Sequence, residues 1–237
     1  MIQTSQPGHA NHTGRSPIVL ALLLLPLLAV TANAAEGVIT YLEGSVSVRR
    51  GGSSVEADIG TELVQGDVVV TGARSTAVIR LKNAADIKLR ENSSVDLSRL
   101  DDEVEVRLNS GGVFARVLDR VLGGLLRSFA VHTETVVGGV RGTEFFVAYG
   151  RTIDDRPDVW LCVNTGEVEV TLIETGAGMQ LREGEGVNVL AGTRLTDARR
   201  YRWTEQLNWN MDPAAGEVFD DTDLDAAYAD LLDQDYD

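Results

Sequence analysis

Apolar and polar residues alternate with a period of two along most of the chain beyond Gly37. In "STAVIRL", Ala77, Ile79 and Leu81 share one side, while Thr76, Val78 and Arg80 share the other. Ile87 and Leu89 alternate with Lys88 and Arg90, and Val104, Val106 and Leu108 alternate with Glu105 and Arg107. Val168, Val170 and Leu172 alternate with Glu169 and Thr171. Successive side chains of a strand point to opposite faces, so this pattern predicts strands with one face in a core and one in water. Turn signals at Gly51, Gly66, Gly72, Gly111, Gly166 and Gly184 separate the segments. The expected fold is all-β, built of short strands.

A glycine followed by alternating apolar residues recurs at Gly44, Gly66, Gly111, Gly166 and Gly186, with spacings of 22, 45, 55 and 20 residues. Two spacings near twenty and one near its double favour solenoid-like coils; the fourth keeps a sandwich-like arrangement open. One segment departs from the alternation. Phe114, Val117, Leu118, Val121 and Leu122 follow helical spacing, which leaves residues 113–126 open between helix and strand.

The two ends differ from the middle. Arg15 is the only fixed charge in the first 34 residues, and a 13-residue apolar run, Ile18 to Val30, follows it. Ala32-Asn33-Ala34 then supplies a small-x-small cleavage site, so residues 1–34 are expected to be a cleaved secretory signal peptide. The run is shorter than the roughly 18–20 residues of a spanning helix, and no transmembrane segment is expected in the mature chain. Residues 35–196 are read as one β domain. Residues 197–237 form an aromatic and acidic C-terminal region, in which Asp212 to Asp237 carries ten acidic residues and no basic one. That composition suggests a solvated tail. Leu224, Ala227, Tyr228, Leu231 and Leu232 nevertheless fall on one helical stripe, so a short amphipathic helix docking on a partner is an alternative.

Charge narrows the partners. Without Arg15 there are 20 Lys+Arg against 36 Asp+Glu, a net charge of −16, which disfavours nucleic acid and anionic membrane surfaces. Cys162 is the sole cysteine and forms no internal disulfide; within "VWLCV" it reads as a small buried hydrophobe.

Candidate chemistry is sparse. His9 and His12 leave with the signal peptide, so His132 is the one imidazole of the mature chain, in a strand where a structural role is the expectation. One histidine and one cysteine make no zinc site, and no cofactor is expected. "DTDLD" starts like a calcium loop but places Ala226 and Leu232 where glycine and glutamate are needed, leaving at most weak calcium association. Asp101-Asp102 and Asp154-Asp155 read as solvated turn carboxylates. A hydrolase would need two carboxylates converging in a cleft, which the sequence does not display. Tyr201, Trp203 and Trp209 are read as a staple holding the terminal segment to the domain, with stacking on polysaccharide as the alternative.

The stretch "TETVVGGVRGTEFFV" holds a charged pair among apolar residues. Gly138-Gly139 permits close packing, Gly142 a positive φ, and Thr143 a bond to turn backbone. Phe145 and Val147 share one face. Arg141 offers five donors that can satisfy carbonyls at a sheet corner or pair with Glu144.

This stretch also resembles the signature of the FecR domain, a Thr-Pro-Thr-Ala-Val-x-Gly-Val-Arg-Gly-Thr-x-Phe run. Thr133, Thr135, Val137, Gly139, Val140, Arg141, Gly142, Thr143 and Phe145 match it, while Glu134 and Val136 replace proline and alanine. The resemblance extends from Gly37 to Gly192, through "LEGSVSVRRG", "LNSGGVFARV", "VNTGEVEV" and "LREGEGVNV". It implies an extracytoplasmic, solenoid-like β module for protein interaction and signalling. Well-known members follow a cytoplasmic sigma-factor regulator; here only residues 1–17 precede the apolar run, so sigma control is not expected. The expected function is an exported, non-enzymatic interaction or signalling module, periplasmic or secreted, with an envelope protein as partner. The alternative is a cell-wall or polysaccharide binder. Gly139, Val140, Arg141, Gly142, Thr143 and Phe145 are expected to be a structural corner, and Leu224, Tyr228, Leu231 and Leu232 a docking element.

Overall fold

Alternating β-branched and polar residues fit a pleated strand, because every second side chain can leave water while its neighbours stay in it. The computed structural model describes residues 1–3, 35–81, 85–118, 128–140, 142–153 and 156–227. It separates into two units, Met1–Ala32 and Asn33–Asp237, and the described strands all lie in the second.

Among the described residues, seventeen strands form two layers that share one strand. The first half contributes β1 (Gly37–Glu43), β2 (Val46–Arg50), β3 (Ser53–Glu56), β4 (Glu62–Leu63), β5 (Val68–Thr71), β6 (Thr76–Leu81), β7 (Ala85–Leu89) and β8 (Ser94–Leu100). The second half contributes β9 (Glu103–Val117), β10 (Ser128–His132), β11 (Val136–Val140), β12 (Glu144–Ile153), β13 (Arg156–Thr165), β14 (Glu167–Leu172), β15 (Gly178–Arg182), β16 (Gly186–Leu190) and β17 (Arg194–Leu195). Sheet A runs β4-β1-β6-β7-β9-β12-β13-β16-β17. Sheet B runs β3-β2-β5-β8-β9-β10-β11-β14-β15. The β9–β10 pairing is parallel and the others are antiparallel.

From β5 onward, position in each sheet follows order in the chain while the chain shuttles between layers. The fold therefore combines both expected forms: a two-layer sandwich whose strands advance as the coils of a solenoid do. The sheets do not close, and their ends are short strands such as β3 and β17, which limits the unpaired edge.

Strand β9 is the pivot. Its residues 103–110 pair in sheet B and residues 111–117 in sheet A. The change of layer falls at Gly111, whose φ is +87°. A Cβ there would lie 2.6 Å from Ser93 Cα and 2.8 Å from the Asn92 carbonyl. The Gly112 amide donates to Ser93 Oγ at 2.9 Å, which fixes the crossing. The helical spacing seen from Phe114 is overruled here: Val113 to Val117 are strand, Phe114 facing outward and Val117 inward. Long-range pairing on both sides outweighs a local stripe rich in β-branched residues. Residues 119–127 of that stripe lie outside the described residues.

One apolar core is drawn from both sheets. Ile39, Ile79, Ile87 and Leu161 come from sheet A, and Val69, Leu97, Val106 and Val170 from sheet B. Each such side chain, fully removed from water, contributes about 1.5–3 kcal/mol. The inward faces are those that the alternation predicts.

The outward face of sheet A departs from the prediction. Lys88 and Arg90 were expected in water, and both are buried. A second apolar cluster lies there, with Val78, Phe114, Phe146, Trp160 and Cys162 from the sheet and Tyr201, Leu207, Met211 and Val218 from the C-terminal segment. Burial pushes the Cys162 thiol well above its usual pKa, as a packing role requires.

Candidate functional site

The family stretch spans the two layers. β11 ends with Gly139 and Val140 in sheet B, between β10 and β14, and β12 opens in sheet A, between β9 and β13. The two strands lie in different sheets, so Gly142 and Thr143 belong to a corner and not to a hairpin. Gly142 has φ +62°. Thr143 is buried; its Oγ1 donates to the Glu167 carbonyl at 2.9 Å and its own carbonyl accepts from Val117 N at 2.9 Å. Phe145 points into the shared core, with its ring centroid 6.4 Å from that of Phe129. Gly138 faces Leu161, whose Cδ1 would stand 3.1 Å from an added Cβ, so small size at that position lets the layers approach. Arg141 lies outside the described residues. Glu144 accepts from Asn164 Nδ2 at 2.6 Å.

The outer face of sheet A is covered by residues 201–227. Lys88 Nζ donates to the carbonyls of Asn208, Asn210 (2.9 Å) and Val218 (3.1 Å), and sits 4.2 Å from the centroid of Phe114. Arg90 Nη2 donates to the Thr222 carbonyl at 2.7 Å and lies 3.2 Å from Asp220 Oδ1. Asp220 Oδ2 also accepts from Asn208 N at 2.6 Å. Two buried cations thus tie down the main chain of the segment, and the aromatics fill the space between. The Trp209 ring stands edge-on to Phe114 with centroids 5.2 Å apart, and its Nε1 donates to the Thr204 carbonyl. Trp209 is therefore a staple; the Trp203 side chain lies outside the described residues.

Burial lowers the pKa of Lys88 to about 8, and Asp220 pulls in the opposite direction. Nothing in a short strand "ADIKL" marks this lysine as buried, because the carbonyls it serves come some 120 residues later.

The docking stripe divides. Leu224 is half-buried against the outer cluster and Ala227 is buried. Residues 224–227 are helical, with Asp223 Oδ1 accepting from the amides of Asp225 and Ala226 as an N-cap. The acidic "DTDLD" run thus starts a helix. Tyr228, Leu231 and Leu232 lie outside the described residues. Asp101 and Asp102 occupy the β8–β9 turn, and Asp154 and Asp155 lie outside the described residues.

Sheet B keeps an open outer face. Arg99 Nη1 lies 2.6 Å from Glu103 and 3.2 Å from Glu105. His132 Nε2 lies 3.8 Å from Glu105 Oε2, and burial holds its pKa below the ordinary value despite that carboxylate. Arg107, Glu167 and Glu169 project from the same face, exposed. Among the described residues no three His, Cys, Asp or Glu side chains are grouped to hold a metal, and no helix is long and apolar enough to cross a membrane.

Two layers joined at a Gly-Thr corner define the class, an all-β two-layer domain. Residues 67–169 match the family model described as "FecR protein". A crystal structure described as "a putative anti-sigma factor from Parabacteroides distasonis ATCC 8503", at 1.65 Å resolution, is similar at 18% identity and a TM-score of 0.46. The similarity covers 56% of this chain and 59% of that one. A second structure under the same description, at 2.50 Å, gives a TM-score of 0.45 over the same shares. No curated protein matches the chain.

Proposed function

We propose that the chain is an exported, non-enzymatic FecR-domain protein that acts as a protein-interaction or signalling module in the cell envelope. The family match supports a signalling module with a protein partner. The observation that carries the reading is the contrast between the outer faces. One is sealed by the chain's own C-terminal segment, and the other presents Arg107, Glu167, Glu169 and the Arg99–Glu105 pair to solvent. Mixed charges on a rigid sheet set specificity and orientation for a partner. The positive start, apolar run and Ala-Asn-Ala site support export. The end of the chain, from Leu224 through Tyr228, Leu231 and Leu232, is a second place for a partner to dock.

Capture of envelope proteins with the mature chain tests this. The expected result is a partner that is lost when Arg107→Glu and Glu169→Lys are introduced, and kept when the chain ends at Ala227. Loss on truncation alone would move the docking element to the C-terminal stripe. Equal capture by all three chains would overturn both surfaces.

A second reading, polysaccharide binding, is favoured by a cleft in which Trp209 stands beside polar side chains of both signs.

A further inference from the structure

We propose that this cleft is a saccharide subsite, an inference that rests on the second reading above. Its walls come from three places. Val163 and Asn164 lie near the end of β13, Glu183 and Gly184 form the β15–β16 turn, and Arg200, Tyr201, Thr204 and Glu205 lead into the C-terminal segment, with Trp209 at the side.

The walls are held to one another. Gly184 N donates to the Val163 carbonyl at 2.9 Å, and Val163 N donates to the Glu185 carbonyl at 2.9 Å. Gly186 and Arg199 exchange main-chain bonds of 2.8 and 3.0 Å, which fixes the approach of the terminal segment. Thr204 bonds the Tyr201 carbonyl through both its amide and its hydroxyl, and the Thr204 carbonyl receives Trp209 Nε1 at 3.2 Å. The Asn164 amide is oriented by Glu144. The indole is thus set in position before any ligand arrives, which lowers the ordering cost of binding.

The donor and acceptor types select the ligand. Glu183 and Glu205 accept hydrogen bonds, Arg200 donates them, and Trp209 offers an apolar ring. A phosphate would meet two carboxylates and an ammonium ligand would meet a guanidinium. A sugar ring satisfies all three groups: its hydroxyls both donate and accept, and its C–H face stacks on an indole. The occupant is a neutral hexose unit of an oligosaccharide. Glu183, Arg200 and Glu205 are exposed on the rim, and Arg200 Nη2 donates to the Glu183 carbonyl at 3.5 Å.

The test uses the mature chain and two probes, the tetrasaccharides of β-linked glucose and β-linked N-acetylglucosamine. The indole N–H resonance of Trp209 is assigned by its loss in Trp209→Phe, and affinity is measured by calorimetry. At millimolar sugar, one probe is expected to shift that resonance. Glu183→Gln with Glu205→Gln, both exposed positions, is expected to weaken binding by roughly tenfold at unchanged melting temperature. Sugar binding that leaves the Trp209 resonance in place, or that the double variant does not weaken, overturns the cleft but not the polysaccharide reading. Absence of any shift, together with no retention on insoluble forms of the same polymers, overturns both.

Discussion

The ammonium of Lys88 lies 3.1 Å from the carbonyl oxygen of Val218, 130 residues further along the chain. With Arg90 beside it, this lysine converts the outer face of sheet A from a solvated surface into the floor of a second core. The C-terminal segment is thereby part of the domain at least to Ala227.

Replacing Lys88 by methionine keeps most of the side-chain volume and removes the donor. The carbonyls of Asn208, Asn210 and Val218 then lose a partner inside a buried site. The variant is expected to lose about 1–3 kcal/mol of stability, measured by urea denaturation. Limited proteolysis should cut first between Thr204 and Asp220. A variant as stable as the parent would mean that the aromatic contacts alone hold the segment.

The same lysine predicts a pH dependence. Its pKa is about 8 in the folded chain and 10.5 when unperturbed, because burial disfavours the charged form. Between those values the unfolded chain carries a proton that the folded chain has released, so this group makes stability rise with pH. As pH falls through about 8 that contribution is lost. Urea midpoints from pH 7 to 10 should show the rise in the parent and its absence in Lys88→Met.

Gly111→Ala tests the layer crossing. A left-handed φ costs a side chain roughly 1–2 kcal/mol, and the new Cβ would also meet the backbone of Asn92 and Ser93 within 3 Å. Destabilisation of about 2 kcal/mol or more is expected by chemical denaturation. A smaller loss would show that the strand can cross without a positive φ.

The corner at the family stretch makes a separate prediction. Thr143→Val removes the bond to the Glu167 carbonyl and keeps the shape, at a cost of about 1 kcal/mol. Arg141→Ala is expected to lower stability by roughly 1–3 kcal/mol if the arginine satisfies buried carbonyls. An Arg141→Ala chain that melts as the parent does but no longer binds its partner would make Arg141 a contact residue.

Cys162 should resist modification. It is fully buried and its thiol is held in the neutral form. Thiol reagents should label the native chain only at the rate of unfolding. Fast labelling at neutral pH would contradict its place under the C-terminal segment.

The inward faces of the strands were legible residue by residue. Ala77, Ile79 and Leu81, then Ile87 and Leu89, then Val104, Val106 and Leu108 all enter the shared core. At the family stretch, the positive φ read for Gly142 is present, and Thr143 bonds main chain through its Oγ1, at the Glu167 carbonyl. What the outward residues of β7 would meet was not legible. Lys88 and Arg90 look like solvated charges, and only contacts across more than a hundred residues bury them. The segment that buries them reads as an acidic tail, because its acidic side chains stay largely outside while its carbonyls face in.

The sequence by itself therefore determined that the chain beyond Gly37 is β-structured, which side of each strand is apolar, and where the turn between layers falls. These follow from a two-residue period and from local backbone preferences, and both act over a few residues. The tertiary structure alone decided how the strands share two sheets, that β9 belongs to both, and that the charged face of sheet A lies beneath the chain's own end. Those outcomes depend on which distant main-chain groups meet, and a carbonyl carries no mark in the one-letter code of the partner it will find.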